Sequence, residues 1–157
     1  AVRRCPAWTP NSRPRARSNR KPRFMPELTY DPPLPAGPID GFVQTIRLSE
    51  QSKPVGHARW HVAGDGSTGI AQLLEIAIHP PFRRTGHGQR LLTAAIDQIQ
   101  LLFRIHKIPA RRVWMNVNQK DQVNGRAMLT HAGFHHMGTI PSLLKDQDAL
   151  IYVRSMD

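Results

Sequence analysis

Between Ala71 and Phe103 the chain changes its hydrophobic period, and few folds accommodate the change. Ala71–Ile78 reads Ala-Gln-Leu-Leu-Glu-Ile-Ala-Ile, an apolar run with one charge, as expected of a strand covered on both faces. His79-Pro80-Pro81 stops it, because proline brings no N–H to a ladder. Further on, Leu91, Leu92, Ala95, Ile96, Ile99, Leu102 and Phe103 recur at three- and four-residue spacing, with Arg90, Asp97, Gln100 and Arg104 on the other side. A strand, a turn holding Gly86 and Gly88, and a long amphipathic helix thus follow in succession. The first turn of a helix offers N–H groups without intrahelical partners at the positive end of the dipole. Glycine lets that backbone approach a ligand with no Cβ in the way. Arg84-Thr85-Gly86-His87-Gly88 is therefore an anion cradle, to which Arg83 and Arg84 add charge. It is not a nucleoside-triphosphate loop, because no Gly-Lys-Ser/Thr follows. Nor is it a dinucleotide fingerprint, because Leu91 stands where the third glycine belongs.

The flanks supply more strands. Phe42–Leu48 and Val55–Val62 are β-branched and alternating, separated by a turn over Ser49–Pro54, and read as an antiparallel hairpin. Past the helix, Arg112–Val117 reads as a strand and Gln122–Ala132 as a weaker helix closed by Gly133. His135–Ile140 and Ala149–Arg154 read as a last strand pair. The order from Phe42 onward is β-β-β-α-β-α-β-β.

Residues 1–38 differ in texture. They are rich in Arg, Pro, Ser and Asn, and too poor in aliphatics to offset the entropy of ordering. The expectation is a disordered basic tail over 1–38 and one domain over 39–157. Residues 1–24 carry eight basic and no acidic side chains, which leaves 14 basic against 11 acidic in the remainder of a chain of net charge +11. The basicity belongs to the tail, so nucleic acid is an unfavoured partner except through that tail. An organelle leader, a basic arm and sequence upstream of a start at Met25 are alternatives for it. One cysteine, Cys5, excludes an internal disulfide and a cysteine metal cluster. No apolar run reaches the roughly 18 residues of a membrane span. A cytoplasmic setting is expected, with no membrane partner and no metal.

The run Leu74–Leu92 resembles the central motif of the GNAT acetyltransferases, Gln/Arg-x-x-Gly-x-Gly/Ala, which Arg83, Gly86 and Gly88 match. The strand ending in His79-Pro80 and the following Leu91-Leu92 match as well. Ala132-Gly133-Phe134 resembles the family's second landmark, a helix ending in Leu-Gly-Phe. The resemblance spans about residues 40–155. It implies an α/β fold of α+β-like character: a central mixed, mostly antiparallel sheet flanked by helices. It implies acetyl-CoA as cosubstrate, its diphosphate on the amides of Arg84–Gly88 and its pantetheine arm paired with the backbone of Ile76, Ala77 and Ile78. Gln89, Asn118 and Asn124 join Arg83, Arg84, Thr85, Gly86, His87 and Gly88 as implied cofactor contacts. Family members begin with a strand and two helices that shape the acceptor site. That part is truncated here, so the acceptor site is open or a second chain, as in a homodimer, completes it.

Direct acetyl transfer to a primary amine needs a base for the amine proton, a donor for the thioester oxygen and an acid for the leaving thiolate. Glu75 is the first candidate base, since partial burial on the central strand would favour its protonated form. Pairing with Arg59 or Arg112 would make it structural instead. His61 and His79 are the alternatives. By resemblance, the amide of Ala77 or Ile78 is the carbonyl donor. The family's acid is a tyrosine, and its slot falls on Leu129 when counted back from Gly133 and on His131 when counted forward from Asn124. An active N-acetyltransferase, a catalytically silent acyl-CoA-binding domain and a basic nucleic-acid-binding protein are the three readings.

Overall fold

The computed structural model describes residues 25–118, 123–144 and 147–157. Seven strands form one sheet: β1 (Glu27–Asp31), β2 (Val43–Glu50), β3 (Lys53–Val62), β4 (Ile70–Ile78), β5 (Arg112–Asn118), β6 (His135–Leu144) and β7 (Gln147–Ser155). Their spatial order is β1-β2-β3-β4-β5-β7-β6. Only the β4–β5 pair is parallel, joined through helix α1 (His87–Ile105); a shorter helix α2 (Val123–His131) links β5 to β6.

Helix α1 owes its place to the stripe read from the sequence. Leu91, Leu92, Ala95, Ile96, Ile99, Leu102 and Phe103 are all buried, and the helix lies across β2, β3 and β4. Each buried Leu, Ile or Phe side chain stabilises the fold by about 1.5–3 kcal/mol. The sheet presents Gln44, Ile46 and Leu48 of β2, Ala58, Trp60 and Val62 of β3, and Ala71 and Leu73 of β4 to the same core. Leu129 and Phe134 complete it from α2 and its exit. That exit is built as expected: Gly133 takes φ +85° and the Phe134 N–H donates to the Leu129 carbonyl at 2.9 Å.

Two expectations are corrected. First, the fold does not start at Ile39. β1 pairs antiparallel with β2 from Glu27↔Ser49 to Asp31↔Thr45. Leu28 and Leu34 pack against the core. The prolines hid this, because they read as loop. Yet a prolyl carbonyl still accepts, and three side chains use that. Arg90 Nη2 donates to Pro26 at 3.0 Å, Gln44 Nε2 to Pro32 at 3.1 Å and His106 Nε2 to Pro35 at 2.8 Å. A strand therefore precedes the hairpin, and the irregular segment 32–42 joins the two without a helix. Residues 1–24, the rest of the expected tail, lie outside the described residues.

Second, β4 is not buried along its length. Arg59 faces Glu75 while its neighbour Trp60 faces Leu73, so Leu74 is an extra residue, a β-bulge. Strict alternation from the buried Ala71 and Leu73 would send Glu75 into the core. The bulge sends it to the opposite face, and Ile76 and Ile78 turn toward the core instead.

Candidate active site

Two features converge at the C-terminal end of β4. The first is a fork. β4 and β5 pair only from Ile70↔Arg112 to Leu73↔Met115. Beyond that, β4 stays with β3 to Ile78 and β5 stays with β7 to Asn118. The strands separate, and the β5-facing side of residues 74–78 is a sheet edge inside the molecule. Such an edge pairs an extended chain through main-chain hydrogen bonds.

The second is the cradle. A single 3₁₀ turn, Pro80–Phe82, leads from β4 toward α1. The His79 N–H donates to the Val55 carbonyl at 2.8 Å, so His79 ends the strand, and its residue is exposed. Arg83 Nε donates to the Ile78 carbonyl at 3.1 Å, and Thr85 Oγ1 to the Phe82 carbonyl at 2.7 Å. Arg83 thus ties the loop to the end of β4, which occupies one of the main-chain acceptors expected for pantetheine. Arg84 and Gly86 take φ +62° and +84°, and Gly86 is the N-cap of α1. That reversal leaves the amides of His87, Gly88 and Gln89 as the helix's first turn, without intrahelical partners. Phe82 meets the His87 ring edge-on at 6.3 Å between centroids. Gly88 has a further reason for being glycine: a Cβ there would lie 3.0 Å from Met128 Sδ, so α1 and α2 approach closely at this point.

The sheet face away from α1 is polar. Cross-strand ranks place Asp31, Thr45, Arg59 and Glu75 side by side, and Arg47, His57 and Ala77 in the next rank. Arg47 Nη1 lies 3.4 Å from Asp31 Oδ2. His57 Nε2 lies 3.2 Å from Glu75 Oε2, diagonally across β3 and β4. The side chain that meets Glu75 is therefore His57, not Arg59 or Arg112. The Glu75 side chain is 48% exposed, so it is not buried as expected. Its link to an imidazole is what marks it instead. Sequence reading missed His57, because a diagonal pair depends on a register that only the bulge sets. His61 Nε2 donates to Gln72 Oε1 at 2.8 Å on the same face.

The acid registers separate as well. Leu129 is fully buried in the core. His131 is exposed and two residues on, about 200° around the helix, so the two point to opposite sides of α2. Asn118 closes β5 opposite Ala149. Asn124 lies in the first turn of α2, and its side chain is outside the described residues. No group of three or more metal-binding side chains assembles among the described residues.

The sequence pattern of the Acetyltransferase (GNAT) family matches residues 16–134, most of the chain. The chain belongs to the GNAT acetyltransferase family. Solved structures agree on the GNAT fold. The ribosomal-protein-S18-alanine N-acetyltransferase from Escherichia coli superposes with TM-score 0.58 at 22% identity, over 72% of this chain and 68% of that one. Ard1 from Thermoplasma volcanium gives TM-score 0.58 at 20% identity, over 71% and 69%. The NatC complex bound to Gag peptide and CoA gives TM-score 0.62 at 15% identity, over 72% and 71%. No curated protein sequence matches significantly. The expected α/β architecture, mixed sheet and helix placement hold for this GNAT domain, with one strand more than was read. No helix among the described residues is long and apolar enough to cross a membrane.

Proposed function

We propose that this GNAT domain is an acetyl-CoA-dependent N-acetyltransferase that acylates a primary amine by direct attack. The observation that carries this reading is the fork between β4 and β5 opening beside the α1 N-terminus. An extended pantetheine-like chain needs a strand edge, and a diphosphate needs converging N–H groups; both lie at one end of β4. Acetyl-CoA supplies the activated acetyl group as a thioester. The amides of Arg84–Gln89, with the Arg84 guanidinium, hold the diphosphate. Free main-chain groups of Ile76–Ile78 align the arm, with Asn118 and Asn124 at the far side.

The acceptor comes from the polar sheet face. Its nitrogen attacks the thioester carbonyl carbon as the C–N bond forms and the C–S bond breaks, with the electron pair leaving on sulfur. The N–H of Ile78, which alternation turns away from β3, steadies the carbonyl oxygen. The proton lost from nitrogen goes to Glu75, which His57 orients, and the thiolate takes a proton from water or from His131. A thiolate of ordinary acidity, with a pKa of about 8.5, leaves tolerably well without an acid. The apolar Leu129 at one tyrosine register is thus compatible with turnover, although it also favours a second reading, an acyl-CoA-binding domain without catalysis.

Thiol release from acetyl-CoA against a panel of amines decides between the two, read beside a thermal-shift titration. Release with one or more amines supports the transferase. A melting-point rise with acetyl-CoA but no release with any amine supports the silent binder. No rise at millimolar acetyl-CoA overturns both.

A further inference from the structure

Asn116 sits one residue beyond the last β4–β5 pair, on the β5 arm of the fork. Its neighbours Met115 and Val117 are buried in the core, so alternation puts Asn116 on the polar face. Trp114, two residues earlier on that face, pairs with Gln72 of β4. Past Gln72, the bulge turns both Leu74 and Glu75 of β4 away from the core, and Glu75 is the polar one of the two. Asn116 and the His57–Glu75 pair therefore flank the mouth of the fork from its two arms. The side-chain oxygen of Asn116 is shielded from solvent and has no hydrogen-bond partner among the described residues. A buried amide oxygen in that state is unfavourable unless something donates to it, and such atoms in a native protein mark a site where a ligand or water completes the bonding.

The geometry points to Asn116 as a substrate-binding residue whose Oδ1 receives an N–H of the attacking amine, opposite Glu75. This rests on the transferase reading above and names a residue outside it. The chemistry of the two acceptors differs usefully. Glu75 can take the proton that must leave. The amide oxygen of Asn116 cannot become charged, so it holds an N–H of the amine before and after that proton has gone. A primary amine has N–H groups enough for both and still presents its lone pair to the thioester. A tertiary amine satisfies neither.

Asn116→Leu, which keeps the branched shape at Cγ without the polar atoms, is the test, and it has two readouts. In the ligand-free protein it removes an unpaired buried polar atom, so the melting point is expected to hold or to rise by roughly 2–4 °C, the change that about 1 kcal/mol produces at this size. A clear fall would make Asn116 a structural hydrogen bonder and overturn the proposal. In thiol-release assays with acetyl-CoA and the best amine of the panel, KM for the amine is expected to rise at least about tenfold, while the acetyl-CoA-induced melting shift stays as in the wild type. Asn116→Gln, which keeps the amide, is expected to recover part of the loss. Turnover in the wild type with an unchanged amine KM in Asn116→Leu overturns the assignment of Asn116 alone. Wild-type binding of acetyl-CoA without thiol release to any amine overturns the transferase reading and this one with it.

Discussion

A single inserted residue, Leu74, decides what Glu75 can do. Without it Glu75 would face α1 and would need a buried partner. With it, the carboxylate reaches His57 on the open face. Glu75→Gln is expected to slow turnover by about 10²–10⁴-fold, the range of general-base catalysis, with acetyl-CoA affinity unchanged. Steady-state kinetics beside a thermal-shift titration check both halves. His57→Gln should cost less, because the carboxylate remains and only its orientation is lost; equal losses would make the imidazole itself the base. Leu129 carries the opposite kind of expectation. It is fully buried, so Leu129→Tyr overpacks the core and should destabilise by about 1–3 kcal/mol, measured by denaturant unfolding. A tolerated tyrosine with faster thiol release would restore that position as the acid slot. Residue types with one dominant local role were legible in sequence: Gly133 as a helix stop, Gly86 in the turn before α1, His79-Pro80 as a strand end. Glu75, His57 and Asn116 were not, because their roles depend on a bulge and a fork, and neither leaves a hydrophobic period to read.

Elements with a sustained pattern were legible for the same physical reason. The stripe of α1 could be satisfied only by burial against a sheet, and the hairpin β2–β3 alternates over its length. β1 escaped because five residues bounded by Pro26 and Pro32 carry too short a pattern to outweigh the prolines. At the cradle, two glycines that looked alike in sequence have different duties. A Cβ at Gly86 would meet nothing within 4 Å, but the residue sits at φ +84°. Gly86→Ala therefore acts through backbone conformation alone, at a cost of about 1–2 kcal/mol if the left-handed turn is kept. The loop can avoid that cost only by moving its amides, so acetyl-CoA affinity is expected to fall, seen as a smaller melting shift at fixed ligand. At Gly88 a Cβ meets Met128 Sδ, the end of a flexible side chain. Gly88→Ala should change affinity less than Gly86→Ala, and the reverse order would place the diphosphate nearer Gly88.

At the scale of the molecule, a polar joint in an apolar setting ties the segment from Glu27 to the core. Gln44 is fully buried and uses both ends of its amide. Trp60 Nε1 donates to Gln44 Oε1 at 3.1 Å, while Gln44 Nε2 donates to the Pro32 carbonyl at 3.1 Å and to Gln98 Oε1 at 3.3 Å. One side chain thereby ties β2 to β3, to α1 and to the segment leaving β1. Composition alone predicts that residues up to 38 are dispensable, whereas the joint predicts that the stretch from Glu27 is not. Gln44→Met keeps the volume and leaves the Trp60 N–H and the Pro32 carbonyl unpaired. Trp60 is fully buried, so its orphaned N–H costs about 1–3 kcal/mol, and the substitution should lower stability measurably in chemical denaturation. Removing residues 1–38 should cost more, because it also strips β1 from the β2 edge and uncovers the contacts of Leu28 and Leu34. It should further reduce the denaturant m-value, since less surface is exposed when the shortened chain unfolds. A truncated protein with the full-length midpoint and m-value would mean that β1 adds nothing to the fold, and Gln44→Met would then be felt only through Trp60 and Gln98.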